Sequence, residues 1–181
     1  AQHGFALADS LEAASAQADL VITSVSADTD LIQVVERLCR VMTAGSVVLD
    51  TSTVSIETAR KVSERLEAHG IHFLDAPVSG GKEGAEKATM VMMVGGDMAV
   101  LEQVMPVLES ISRKVVHLGS VGSGQATKAV NQVMAAGINQ AVTEALAFAT
   151  ALELRLDKVI EVVGSGAAGN WFLSHRGESM T

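Results

Sequence analysis

Five short apolar runs, LVITSV (20–25), SVVLD (46–50), IHFLDA (71–76), TMVMMVGG (89–96) and KVVHLG (114–119), recur along the first two thirds of the chain. Runs of this length without polar alternation suit strands covered on both faces, as in sheets flanked by helices. Between them lie helical patterns at 30–42, at 55–69, closed by Gly70, and at 97–111, which contains Pro106. The alternation predicts an α/β chain with a doubly wound parallel sheet. From residue 122 the strand signals stop. A helix of roughly 30 residues, about 45 Å long, is expected to leave the sheet and form the spine of a second, helical part.

Composition narrows the function classes. With 181 residues, 48% hydrophobic and 19% charged, the chain can bury one substantial core and part of another. A formal net charge of −8 argues against a nucleic-acid partner or an anionic membrane surface. The apolar segment 129–152 is broken by Asn131, Gln132, Asn139, Gln140, Thr143, Glu144 and Thr150, so it reads as a buried helix of a soluble protein and not as a membrane span. Cys39 is the single cysteine, which excludes an internal disulfide and suits a buried, inert thiol in a cytoplasmic protein. His69 and His72 straddle Gly70 with no third ligand near in sequence, and His3, His117 and His175 are scattered, so no metal site is expected. Met90, Met92 and Met93 read as strand packing. Asp75 could hold a cation or bond to the backbone of its own turn, the commoner role.

Two segments carry candidate chemistry. In GSGQATKAVNQ (122–132), Lys128, Asn131 and Gln132 are three and four positions apart, so on a helix they share one face. Val130, Val133, Met134, Gly137, Ile138 and Ala141 fall on the other face, which is free to pack while the polar face looks into a cleft. A solvated helix face is the alternative for Lys128. In IHFLDAPVSGGKEGA (71–85) a strand runs into a proline-fixed turn and a glycine-rich loop. There Ser79, Gly80 and Gly81 offer a hydroxyl and open backbone N–H groups suited to a small carboxylate, or form an ordinary turn.

The chain resembles the β-hydroxyacid dehydrogenases, the family of 3-hydroxyisobutyrate dehydrogenase and tartronate semialdehyde (2-hydroxy-3-oxopropionate) reductase. The resemblance rests on DAPVSGG at 75–81, MVGGD at 93–97, GSGQATK at 122–128 followed by Asn131 and Gln132, EALAFA at 144–149 and GAAGNW at 166–171, in the family's order and spacing. It implies a partial Rossmann-like dinucleotide-binding domain over 1–121, then a long interdomain helix and the start of an all-helical domain over 122–181. The family's G-x-G-x-x-G turn for the cofactor pyrophosphate has no counterpart here. With Ala1 at the front and Thr181 just after GAAGNW, the chain reads as an internal fragment that lacks at least about 30 residues, one βαβ unit, at its start. Such a fragment is expected to be inactive alone.

The resemblance further implies hydride transfer between NAD or NADP and a small semialdehyde or β-hydroxy acid carboxylate. Lys128 is the proton donor or acceptor; Ser79, Gly80, Gly81, Asn131 and Gln132 bind substrate. Burial and a nearby helix N-terminus would lower the Lys128 pKa. Val25 and Ser26 match the pair approaching the dinucleotide, where the family usually has Leu-Pro, and Thr53 matches a residue near the nicotinamide ribose. Thr53 or Ser55 could instead cap the following helix. The Asn131–Gln132 pair and GAAGNW look like the tartronate semialdehyde reductase branch. The alternatives are 3-hydroxyisobutyrate dehydrogenase, a succinic semialdehyde or glyoxylate reductase, an imine-reducing relative, which Lys128 disfavours, or a noncatalytic binding or assembly module. Trp171 and Phe172 either wall the pocket or join the core, with core the commoner fate of such aromatics. A homo-oligomer formed through the helical domain is expected of the complete protein.

Overall fold

The computed structural model describes Gly4 and residues 6–180. His3, counted above among the scattered histidines, and the chain ends Ala1 and Thr181 lie outside the described residues. Clustering of contacts divides the structure into two compact units, Ala1–Ala129 and Val130–Thr181.

In the first unit, α1 (Leu11–Ser15) precedes three parallel strands, β1 (Leu20–Thr23), β2 (Val47–Asp50) and β3 (His72–Asp75), ordered β1-β2-β3. The register aligns Thr23, Asp50 and Asp75 at the carboxyl ends. Strand alternation sorts the side chains. Val48 and Phe73 join Leu31, Val35 and Leu38 of α2 (Asp28–Leu38) and Ala59, Val62 and Leu66 of α3 (Ile56–Glu67) in one core. Val47, Leu49 and Leu74 join Val100, Leu101, Val104 and Leu108 of α5 (Met98–Ile111) in another. Helices therefore cover both faces of the sheet, as the apolar runs require. Ser55 caps α3 by accepting the Thr58 N–H at 3.1 Å, and Asp97 caps α5 by accepting from Ala99 and Val100.

The remaining strands depart from an all-parallel layout. β4 (Val78–Ser79) is antiparallel to β5 (Met90–Val94), which runs parallel to β6 (Ser112–His117). β3 continues into this pairing, since Asp75 and Gly95 exchange N–H···O bonds of 3.0 and 2.8 Å and Met93 N–H donates to Pro77 O at 3.0 Å. The cause is the connection at residues 80–89, whose only helix, α4 (Gly81–Glu86), is six residues long. That is too little chain for a covering crossover, so the strand returns antiparallel. The glycine-rich segment after Ser79 is thus the start of a short helix and not an extended loop. Gly96 (φ +140°) marks the end of β5, where a Cβ would lie 2.5 Å from Leu74 Cδ2.

The long helix α6 (Ser123–Ala151) has 29 residues, in keeping with its expected length. The second unit holds most of it together with α7 (Leu156–Gly164), α8 (Trp171–Arg176) and a 3-10 turn at Gly177–Met180. Its core is small: Val142, Leu146 and Leu173, with Ile138, Leu156, Ile160 and Phe172 packed against them. Three expectations are corrected here. α6 is not buried as a whole, and of the face expected to pack only Ile138 joins the core, while Val130, Val133 and Met134 are 62, 74 and 62% exposed. The packing stripe instead follows Ile138, Val142, Leu146 and Ala149. Trp171 is 54% exposed and stacks on His175 at 4.7 Å, because Leu173 and Phe172 occupy the core positions of α8. Cys39 is half-buried, not buried, with Sγ 3.8 Å from Arg65 O, and desolvation pushes its thiol up. Met92 and Met93 are buried in β5 as expected. Among the described residues no helix is long and apolar enough to cross a membrane.

Leu74 is fully buried while Val133 is open. Leu74→Ala is expected to cost about 2–5 kcal/mol, and Val133→Ser to stay within about 0.5 kcal/mol, in urea denaturation of the chain.

Candidate active site

Ligands of open α/β sheets lie beyond the carboxyl ends of the strands. There the loops after β1 and β2 are bonded to each other. Thr23 Oγ1 and Ser52 Oγ both donate to Asp50 Oδ1 at 2.7 Å, and Val25 N–H donates to Ser52 Oγ at 2.8 Å. Thr51 Oγ1 and N–H donate to Thr23 O at 2.8 and 2.9 Å. This brings Val25, Ser26 and Thr53 to one edge, with Val25 half-buried and the other two exposed. Ser55 takes the capping role, so Thr53 is not the cap. Asp50 is fully buried, burial pushes its carboxyl up, and among the described residues its Oδ2 has no partner.

The start of α6 is the second element. Asp75, also fully buried, accepts the Gly122 N–H at Oδ1 (2.7 Å) and the Gln125 N–H at Oδ2 (2.9 Å). Its partners are 47 and 50 residues away and not its own turn. Burial pushes this carboxyl up, and the backbone N–H groups oppose the shift. The Gln125 side chain reaches the loop after β2, donating to Ser52 O at 2.9 Å and accepting the Val54 N–H at 3.2 Å. Lys128 is half-buried, with Nζ donating to Val78 O at 2.8 Å. Desolvation lowers its pKa. Ser79 follows Val78 in β4, and Gly80 (φ +139°) and Gly81 (φ +61°) open α4 in left-handed conformations that favour glycine. Lys128 therefore reaches the strand that leads into Ser79, Gly80 and Gly81. Asn131 and Gln132 follow on α6, in the second unit, where Asn131 Nδ2 donates to Gln132 Oε1 at 3.1 Å.

Known proteins resemble this chain over nearly its whole length. Residues 1–119 match the model for the NAD binding domain of 6-phosphogluconate dehydrogenase. Residues 122–181 match that for the NAD-binding of NADP-dependent 3-hydroxyisobutyrate dehydrogenase. An uncharacterized oxidoreductase of Shewanella frigidimarina is 42% identical over 99% of this chain and 62% of its own length. A probable 3-hydroxyisobutyrate dehydrogenase of Mycobacterium tuberculosis is 38% identical over 97% of this chain and 59% of its own. The structure of Mycobacterium tuberculosis 3-hydroxyisobutyrate dehydrogenase with L-serine superposes with a TM-score of 0.87 at 36% identity, covering 97% of this chain and 60% of that one. The chain belongs to the β-hydroxyacid dehydrogenase family. It spans about three fifths of the length of these relatives.

The family's cofactor is a nicotinamide dinucleotide, and the loops after β1 and β2 lie at the carboxyl ends of their strands. Residues 24–26 and 51–55 carry hydroxyls and no cation, a neutral surface suited to hydrogen-bonding sugar hydroxyls and not to neutralising phosphate. Among the described residues no group of three His, Cys, Asp or Glu is placed to hold a metal ion. Two residues escaped the sequence reading. Gln125, 2% exposed, ties α6 to the Thr53 loop, and Asp50 ties that loop to Val25. In sequence, Gln125 shows only as a polar residue between Gly124 and Ala126, and Asp50 only as the polar end of an apolar run.

Gln125→Ala strands the Val54 N–H and Ser52 O, at about 1–3 kcal/mol for each buried group left unpaired, to be read by urea denaturation. Asp50 carries a pH signature. Its folded-state carboxyl is raised, so its contribution is most favourable below the unfolded value, near about 3.9, and declines as pH climbs towards the folded value. Asp50→Asn keeps an acceptor for both hydroxyls. It is expected to gain stability over the parent at neutral pH, with the gap closing below about pH 4 in melts across pH.

Proposed function

We propose that the protein carrying this chain is an NAD(P)-dependent oxidoreductase of small β-hydroxy acids, with Lys128 moving the proton. The observation that carries this reading is the half-buried Lys128 amine, held on Val78 O beside Ser79, Gly80 and Gly81. Relatives point to one substrate core. They are named for 3-hydroxyisobutyrate, L-serine and 2-(hydroxymethyl)glutarate, each a 3-hydroxypropanoate bearing a different group at C2. Tartronate semialdehyde, reduced to glycerate, is the member of this series with a C2 hydroxyl. The carboxamides of Asn131 and Gln132, three and four residues beyond Lys128 on the same helix, suit a polar C2 substituent, and we take tartronate semialdehyde as the preferred substrate. The probable 3-hydroxyisobutyrate dehydrogenase among the relatives favours a second reading in which C2 carries a methyl group.

A bound nicotinamide supplies the hydride acceptor or donor. Lys128 handles the proton: its neutral amine takes the hydroxyl proton during oxidation, and its ammonium returns that proton to the carbonyl oxygen during reduction. Partial desolvation makes the neutral form reachable nearer to physiological pH than for a free lysine. The backbone N–H groups around Gly80 and Gly81, with the Ser79 hydroxyl, are the proposed carboxylate partners.

The test uses the longest form that the gene encodes, assayed by NAD(P)H oxidation with tartronate semialdehyde, methylmalonate semialdehyde and succinic semialdehyde. Turnover led by the first supports the preferred substrate; turnover led by the second moves the assignment to 3-hydroxyisobutyrate. Turnover on none, with coenzyme bound, removes the enzymatic reading. Lys128→Ala is expected to lower kcat about 10²–10⁴-fold with coenzyme affinity unchanged. Oxidation should rise, and reduction fall, with pH through one pKa below the ordinary lysine value.

A further inference from the structure

Two hydrogen bonds between the β3–β4 strand and α6 are spaced alike. Asp75 Oδ2 accepts the Gln125 N–H and Val78 O accepts from Lys128 Nζ, and each pair is separated by 50 residues. Asp75 and Val78 are three residues apart on one segment; Gln125 and Lys128 are three apart on one helix face. The carboxylate bonds therefore form the first rung of a ladder whose second rung is the lysine contact. Close approach is built in around the first rung. A Cβ on Gly124 would lie 2.7 Å from Asp75 O and 2.8 Å from Asp75 Oδ2, and one on Gly95 would meet Asp75 Oδ1 and, at 2.8 Å, Ser120 O.

We propose that Asp75 is the positioning residue for Lys128: its carboxylate clamps the first turn of α6 to the end of β3 and so sets where the lysine amine meets the Val78–Ser79 strand. This deepens the proposed function and rests on it for the role of Lys128. The clamp needs a carboxylate. Both oxygens accept backbone N–H groups, from Gly122 at 2.7 Å and Gln125 at 2.9 Å. An amide there keeps one acceptor and turns an NH₂ towards the other donor. The clamp also leaves the lysine unpaired by charge. Lys128 bonds to a carbonyl, and the negative charge of Asp75 is spent on N–H groups at the helix start. A direct Asp–Lys pair would hold the ammonium form and oppose proton transfer near neutral pH.

The test reads the lysine itself. Competitive acetylation with acetic anhydride across pH, followed by peptide mass spectrometry, gives the pKa and reactivity of each lysine, with exposed Lys61 and Lys82 as internal standards. In Asp75→Asn the Lys128 titration is expected to move up towards the ordinary lysine value, and kcat to fall tenfold or more. Val104→Ala, a core truncation far along α5, should lower the melting temperature and leave the Lys128 titration unchanged. A folded Asp75→Asn chain whose Lys128 titrates as in the parent, with kcat within threefold, overturns the proposal. If Asp75→Asn does not fold, the parent chain decides in low denaturant. Loss of the distinct Lys128 labelling in step with hydrogen exchange at the Gly122 and Gln125 N–H groups supports the clamp. Loss while those amides stay protected overturns it. The labelling needs no substrate, so a parent protein inactive on every acid defeats the proposed function alone.

Discussion

Both oxygens of the buried Asp75 carboxylate are committed to backbone N–H groups at the start of α6, and the placement of that first turn depends on the commitment. A carboxylate withdrawn from water is costly unless its lone pairs are met. The first turn of a helix is one of few places in a protein where several N–H groups stand free. Here each supplies what the other lacks. Gly95 and Gly124 hold the way open, because at either position a side chain would strike Asp75.

From that anchor a bonded path runs through the first unit. Gln125, in the clamped turn, reaches Ser52 O and the Val54 N–H; Ser52 Oγ receives the Val25 N–H and donates to Asp50; Asp50 accepts from Thr23. The path joins the carboxyl ends of β1, β2 and β3 through neutral donors and two buried carboxyl groups, Asp50 and Asp75. It holds exposed hydroxyls at one edge and a half-buried amine on Val78 O. The hydride transfer proposed above would use the hydroxyl edge as the seat of the nicotinamide end and the amine as a proton carrier that can lose its charge.

Much of the fold was legible because short apolar runs rich in Val leave little choice but strands, and because 29 residues without a proline favour one helix. The antiparallel β4 was not, since two residues beside Pro77 carry no periodicity and the direction of return was set by the shortness of the 80–89 connection. The burial of α6 was misread at Val130, Val133 and Met134, because an apolar stripe does not say which of two adjacent stripes finds a partner. Trp171 failed likewise, displaced by Leu173 and Phe172. In the site, the Ser79 to Gly81 turn and Lys128 stood out through motif and spacing. Gln125 did not, because a buried glutamine looks like a surface one until partners 71 and 73 residues away are brought to it.

In the proposed reaction Lys128 leaves Val78 O to meet the reacting oxygen. A crystal structure of the longest form that the gene encodes, with an oxidised nicotinamide cofactor and glycerate or 3-hydroxyisobutyrate bound, tests it most directly. Lys128 Nζ is expected within hydrogen-bond distance of the substrate hydroxyl, and the substrate carboxylate on Ser79, Gly80 and Gly81. A bound acid whose hydroxyl meets another group, with Lys128 still on Val78 O, would contradict it.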